Sequence, residues 1–377
     1  MSSSQNKIII VNTSALRSSG ALAVYHQFIA HLQCYVGSHR WIIFVDPSVE
    51  QPIIDGVTYI SDGNHSWRHR IAWEHGGLKR WLKQRNIIPD VIVSLQNTGS
   101  VIECKQVIYY HQSLPFYPRK WNLLKAKERM MWLYKHIYPF FVSSTLNDKT
   151  DVVVQIPFIK RGFCKKYKFA EDKVHVLFPD VEKIEADKII AANLSADYFH
   201  FIYPATPFPY KEHKTLVEAL HILRQSNPSV FAKIRIHFTI SIGEFPLLEQ
   251  LIVAYGVGEQ FVFDGVMCHE NLLSFYKASW GLLFPSTIET LGLPLLEAAA
   301  FGLPIIASDL DYAHEVLNGY EGVMFAKTEN CQKWADLIVR VCEEAPTFEP
   351  LTPKGSSWGK FLSLIHISEP TRHAQIS

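Results

Sequence analysis

Short apolar runs recur along this chain, and stretches of helical period separate them. That rhythm leaves few folds open, because alternating strands and helices bury their apolar faces as parallel sheets covered on both sides. In the first half, strands are predicted at residues 7–12, 41–45, 91–95, 106–111, 152–155 and 174–177, with a helix at 21–34. In the second half they are predicted at 199–204, 234–240, 261–263, 281–284, 304–307 and 322–325, with helices such as 213–224 and 271–278 between them. A length of 377 residues accommodates two domains. Charge density rises over residues 179–195, which read as the linker. No internal repeat or low-complexity tract interrupts the pattern.

With 48% hydrophobic and 19% charged residues, the chain has the composition of a globular protein with ample core. Its net charge of +1 hides an asymmetry. Residues 1–185 hold 24 lysines and arginines against 15 acids, and the remainder holds 13 against 21. The first half is therefore expected to meet an anionic partner. Six cysteines form no CxxC pair and read as reduced core thiols, which suits the cytoplasm. The N-terminus enters a strand without a long apolar stretch, and no run of about 18 apolar residues predicts a membrane span.

The densest chemistry lies at residues 284–309, FPSTIETLGLPLLEAAAFGLPIIASD. Residues 281–284 read as a buried strand, 286–293 as a loop, and Pro294 as the first helical residue. The short helix closes at Gly302, and Pro304 opens the next strand. Helix amides and the positive helix end then face the loop, an arrangement suited to phosphate. Glu297 is expected on the first helical turn beside that site, and Glu289 on the loop before it. One carboxylate can accept ribose hydroxyls while the other holds a second polyhydroxylated group. The same pattern also fits a Glu297 that only complements the helix dipole and a solvated Glu289. A Rossmann dehydrogenase shares the strand–helix rhythm but needs G-x-G-x-x-G after its first strand. The loop from Asn12 to Gly20 lacks it, and Gly256-Val257-Gly258 follows a helix and precedes a strand.

Glu289 and Glu297, set between Pro285-Ser286 and Ala298 and followed by Gly302-Leu303-Pro304-Ile305-Ile306-Ala307-Ser308, resemble the signature of the retaining glycosyltransferases of family 4. The similarity extends from Lys7 to Phe361 and is densest between Tyr203 and Phe325. It implies a GT-B fold, an α/β architecture of two Rossmann-like parallel-sheet domains facing each other across a cleft. Residues 1–185 would be the acceptor-side domain, 186–345 the nucleotide-sugar donor domain, and 346–361 a terminal crossover segment. Residues 362–377, LSLIHISEPTRHAQIS, lose both periodicity and resemblance. They look like a translated sequencing adapter and are set aside.

The resemblance also assigns residues. Lys211 arrives before a helix after a proline-rich loop, where a cation can neutralise a departing diphosphate. In the family this lysine grips the donor diphosphate, with an arginine five positions earlier. Here that position is Thr206, and Lys214 is the alternative source of charge. Both lysines also fit an exposed helix start. Glu289 is expected to position the transferred sugar and Glu297 the ribose, with Thr290 among the donor-binding residues. Leu291, Gly292 and Leu293 offer amides to the diphosphate. His111, at the end of an apolar strand, would line the far side of the sugar. Ser19 and Gly20 would form the loop near the acceptor or the donor phosphates, although Ser19 stands where the family usually has a second glycine. The family transfers sugar with retention, the leaving phosphate accepting the acceptor's proton. It needs no cofactor beyond the nucleoside-diphosphate sugar.

Asp309-Leu310-Asp311 has the form of a metal-binding pair, but the GT-B resemblance assigns the diphosphate to lysine and helix amides, so no metal is expected. Residues 119–138, RKWNLLKAKERMMWLYKHIY, interleave basic and aromatic side chains. They suit an anionic membrane surface at the inner face of the membrane, and equally a half-buried domain helix. No nucleic-acid-reading motif accompanies them. The expected activity is sugar transfer to a glycan or lipid-linked glycan in cell-surface polysaccharide biosynthesis. The alternatives are a GT-B sugar-nucleotide epimerase or hydrolase, and a catalytically silent sugar-nucleotide-binding or scaffold module.

Overall fold

The computed structural model describes residues 6–16, 19–61, 67–180, 184–352, 355 and 357–365, without the side chains of residues 19–21 and 127. The chain divides into two compact units, one of Met1–Asp180 with Lys354–Ser377 and one of Val181–Pro353. The first boundary falls inside the expected linker. The second assigns the C-terminal segment to the first unit.

The first unit holds a seven-stranded sheet. Its strands are β1 (Ile8–Asn12), β2 (Arg40–Val45), β3 (Val57–Ser61), β4 (Val91–Ser94), β5 (Lys105–Tyr110), β6 (Thr150–Val154) and β7 (Val174–Val176). They run in the order β3-β2-β1-β4-β5-β6-β7, all parallel. Period-two alternation divides its side chains between two cores. Ile9, Val11, Trp41, Ile43, Val91 and Val93 join one, while Ile10, Ile42, Phe44 and Ile92 join the other. Burial on both faces explains why these strands read as continuous apolar runs. β3 has no counterpart in the sequence reading; it is a half-exposed edge strand of mixed polarity.

The helix Trp358–Leu364 closes the first of these cores. Trp358 stacks on Tyr109 at 5.7 Å and donates its indole N–H to Gln27 at 3.2 Å. Leu362 and Ile365 are fully buried, so the helix continues into the segment set aside on sequence grounds. Residues 366–377 lie outside the described residues.

The second unit carries β8 (Phe199–Tyr203), β9 (Ile234–Phe238), β10 (Phe261–Phe263), β11 (Gly281–Phe284), β12 (Ile305–Ser308) and β13 (Val323–Ala326). Their order is β10-β9-β8-β11-β12-β13, again parallel. The chain builds outward from β8 to one edge, then returns to place β11 on the other side of β8. That reversal makes the β8/β11 boundary the switch point, where the two following loops diverge and leave room for a ligand at the carboxyl ends.

Candidate active site

Two loops leave the switch point of the second unit, one after β8 and one after β11. They are pinned together by Thr287, whose N–H and hydroxyl both donate to the Tyr210 carbonyl, at 2.8 and 3.0 Å. Lys211 ends a short 3-10 turn, Pro209–Lys211, and its carbonyl accepts the Tyr203 hydroxyl at 2.5 Å. Its ammonium donates to Glu289 Oε1 at 2.5 Å, joining residues 78 positions apart. Both side chains are largely buried, at 14% and 13% exposure. The ammonium lies 5.6 Å from the Tyr210 ring centroid and 5.9 Å from that of Phe284. Burial, and then the Glu289 charge, push the Tyr210 phenol up, so it stays a neutral donor.

The β11 loop ends at Gly292, which has φ +75° and precedes the helix Leu293–Ala300. A side chain there would be strained by the left-handed backbone and would meet Leu295 Cδ1 at 3.2 Å. The turn joins the loop that carries Glu289 and Thr290 to the helix N-terminus, whose first amides lack partners within the helix. Pro294 is the second helical residue rather than the first, since Leu293 already has helical geometry. Glu297 consequently sits on the second turn, and its expected place on the first is corrected. Its carboxylate instead accepts the Tyr276 hydroxyl at 3.1 Å and lies 3.2 Å from His269 Nε2, both on the helix His269–Ala278.

Thr206 is exposed, and its carbonyl closes a turn with the Phe208 amide at 2.8 Å. Lys214 is exposed near Cys331, whose thiol is pushed up to about 11 by burial and Glu218 while the Lys214 charge pulls it down. Asp309 pairs with His314 at 2.8 Å, and Asp311 opens the helix Asp311–Val316. No group of three or more metal-ligating side chains occurs among the described residues.

The sequence reading missed His213, two residues beyond Lys211. It is 1% exposed, ringed by Tyr203, Phe238 and Phe245 at 4.8–5.8 Å, and neither ring nitrogen has a hydrogen-bond partner among the described residues. Burial, with Lys211 adding to it, lowers its pKa to about 3. The Ala205 backbone pulls the other way without reaching good hydrogen-bond geometry.

His111 belongs to the first unit, directly after β5, and is not among the residues joined at β8/β11. Its N–H donates to Asn97 Oδ1 at 2.5 Å. Burial first, and the Arg70 charge second, lower its imidazole to about 4, so it is neutral at pH 7. Ser19 and Gly20 open the helix Ser19–Tyr35, but their side chains lie outside the described ones. In the basic segment, Trp121, Met131 and Tyr138 are buried, while Leu124 is 93% and Met130 52% exposed. Lys135 is spent internally, donating to the Tyr117 and Arg119 carbonyls at 2.6 and 2.5 Å. Among the described residues no helix is long and apolar enough to cross a membrane.

Residues 185–357 match the family described as Glycosyl transferases group 1. That match spans most of the second unit and a little under half of the chain. Over 241 residues the chain is 22% identical to the O-antigen chain mannosyltransferase RfbU of Salmonella typhimurium, covering 64% of this chain and 62% of that one. It is 23% identical to the D-inositol 3-phosphate glycosyltransferase of Paenarthrobacter aurescens, covering 41% and 38%. The chain thus spans less than two thirds of these relatives' lengths. A 146-residue stretch is 30% identical to the serotype-specific mannosyltransferase WbdA of Escherichia coli, covering 37% and 17%. Among solved structures, the glycosyltransferase WaaG superimposes with a TM-score of 0.63 at 16% identity, covering 90% of this chain and 94% of that one. Anabaena HepE, solved with UDP-glucose, gives 0.59 at 14%, covering 90% of each. These superpositions and the two parallel-sheet units establish the GT-B fold.

Proposed function

We propose that this protein is a retaining glycosyltransferase of family 4 that moves a sugar from a nucleoside-diphosphate sugar to a glycan or lipid-linked glycan. The observation that carries the reading is the Lys211–Glu289 pair at the β8/β11 carboxyl ends, beside a helix N-terminus. Without donor, Glu289 neutralises Lys211. A diphosphate offers the ammonium more negative charge than one carboxylate, so it displaces Glu289 and leaves that carboxylate for the sugar's hydroxyls. The amides of Leu291, Gly292 and Leu293 share the phosphate charge.

As the anomeric bond breaks, negative charge grows on the leaving phosphate. Lys211 and the amides are in place before this happens, and such preorganisation supplies most of the rate. The leaving phosphate takes the acceptor's proton on the same face, which retains the anomeric configuration. Glu297, steadied by Tyr276, accepts ribose hydroxyls, and neutral His111 serves the sugar. No metal is assigned a role. The names of the relatives support cell-surface polysaccharide assembly, with the protein in the cytoplasm at the inner face of the membrane.

One observation favours a second reading, a silent sugar-nucleotide-binding module: Thr206 stands where the family has an arginine. Thermal shift against a panel of sugar nucleotides, followed by turnover with the best binder, separates the two. A ligand at 100 times its Kd stabilises by about 2.7 kcal/mol. Stabilisation with transfer supports the enzyme, stabilisation without transfer to any glycan acceptor supports the module, and no stabilisation by any sugar nucleotide refutes both.

A further inference from the structure

The turn after β4 is the junction of the first unit's polar groups. Gln96 Oε1 accepts the Ala15 N–H at 3.0 Å, fixing the loop after β1. Asn97, held in the left-handed region at φ +73°, accepts the His111 N–H and so fixes the end of β5. Thr98 donates to Glu74 Oε1 at 2.5 Å. β1 and β4 are neighbours where this sheet reverses its strand order, so the turn occupies the first unit's own switch point.

Arg70 organises this turn. Its Nη2 donates to the Gln96 carbonyl, to Thr98 Oγ1 at 2.9 Å and to the Tyr138 hydroxyl at 3.2 Å. Its Nε donates to Glu74 Oε1 at 3.0 Å, and Gln96 Nε2 reaches the same oxygen at 3.0 Å. Glu74 is 2% exposed, on the turn Trp73–Gly77, where the backbone kinks at Gly76 between two helices. A planar guanidinium serves three acceptors and a carboxylate at once, which an ammonium cannot do in one geometry.

We infer that Arg70, clamped by Glu74, is a positioning residue that holds the turn after β4 in the shape which, through Asn97, fixes His111. The inference rests on the role proposed for His111. Among the described residues, Arg70 acts on the imidazole directly and Tyr109 of β5 lies 6.1 Å from it, while Glu74, Tyr134 and Tyr138 act on Arg70. Arg70 also adds to the burial that keeps the imidazole neutral.

The test is an NMR titration of the His111 ring, with donor affinity and turnover measured alongside. Arg70→Gln alone leaves Glu74 as a buried unpaired charge, so the double variant R70Q/E74Q is the one to use. In it the His111 midpoint rises from its depressed value, while burial still holds it below the ordinary imidazole value of about 6.5. Turnover falls on the order of 100-fold, as for a displaced reacting group, with donor affinity in the second unit unchanged. Asn97→Gly keeps the left-handed backbone but removes Oδ1, so it lowers turnover without moving the midpoint. Arg70→Lys keeps the midpoint low and loses turnover with the fork. An unmoved midpoint together with full turnover in R70Q/E74Q overturns the inference. The reading of His111 itself fails separately, by full turnover in His111→Ala.

Discussion

His213 makes a quantitative prediction. Its imidazole titrates near 3 in the folded chain and near 6.5 when unfolded, so the unfolded state binds a proton that the folded state refuses. Its folded pKa is depressed, and for a base this means that stability is complete above pH 6.5 and declines as pH falls toward 3. Each pH unit inside that window costs about 1.4 kcal/mol, and lowering pH from 7 to 5 costs about 2 kcal/mol from this residue alone. His213→Leu, of similar volume among Tyr203, Phe238 and Phe245, abolishes the contribution. At pH 7 the variant is expected to equal or exceed the wild type, because two buried nitrogens without partners have been removed. The assay is urea-dependent hydrogen exchange on the helix His213–Ser226 at pH 7 and pH 5, corrected for intrinsic rates; it reads this unit separately. Other titrating groups are common to both proteins, so the difference between the two pH effects is the quantity of interest. If wild type and variant lose stability in parallel, His213 is already protonated or paired in the folded state and the reasoning is wrong.

Glu297→Ala weakens donor binding, whereas Glu289→Ala lowers turnover more than affinity; calorimetry and initial rates decide, and unchanged affinity in Glu297→Ala removes the ribose assignment. EDTA leaves turnover nearly intact if Lys211 and helix amides carry the diphosphate, while loss restored by Mn²⁺ and absent activity in Asp309→Ala would reverse that view. Changing Arg119, Lys120, Lys125 and Lys127 to glutamine reduces cosedimentation with anionic vesicles by about 1 kcal/mol per residue near the surface, most strongly at low salt. Equal binding by both proteins, or by neither, leaves that segment as a domain helix.

Much of the fold was legible because the strands are buried on both faces, which turns each into a short apolar run. β3 escaped because an edge strand with no fully buried residue carries no such run. Lys211 and Glu289 were each found by local pattern, but their ion pair spans 78 residues and exists only because β8 and β11 are neighbours. Glu297 was placed one helical position early because the helix begins at Leu293, before the proline that seemed to start it. Arg70 and Glu74 look in sequence like an ordinary surface pair four residues apart. Only the tertiary structure buries Glu74 and surrounds it with Gln96 and Thr98. In residues 119–138 the sequence shows alternation but not direction, and the structure turns Trp121, Met131 and Tyr138 inward.

The central claim is that Lys211 holds the donor's diphosphate and that Glu289 occupies it in the diphosphate's absence. Calorimetric titration with the nucleoside diphosphate of the donor, on wild type, Lys211→Met and Glu289→Gln, tests both halves at once. A hydrogen bond between charged groups contributes about 1.5–3 kcal/mol, so Lys211→Met should weaken binding about 10- to 100-fold. Glu289→Gln removes the competitor and should bind the diphosphate at least as tightly as wild type. Unchanged affinity in Lys211→Met, or weaker diphosphate binding in Glu289→Gln, would contradict the account.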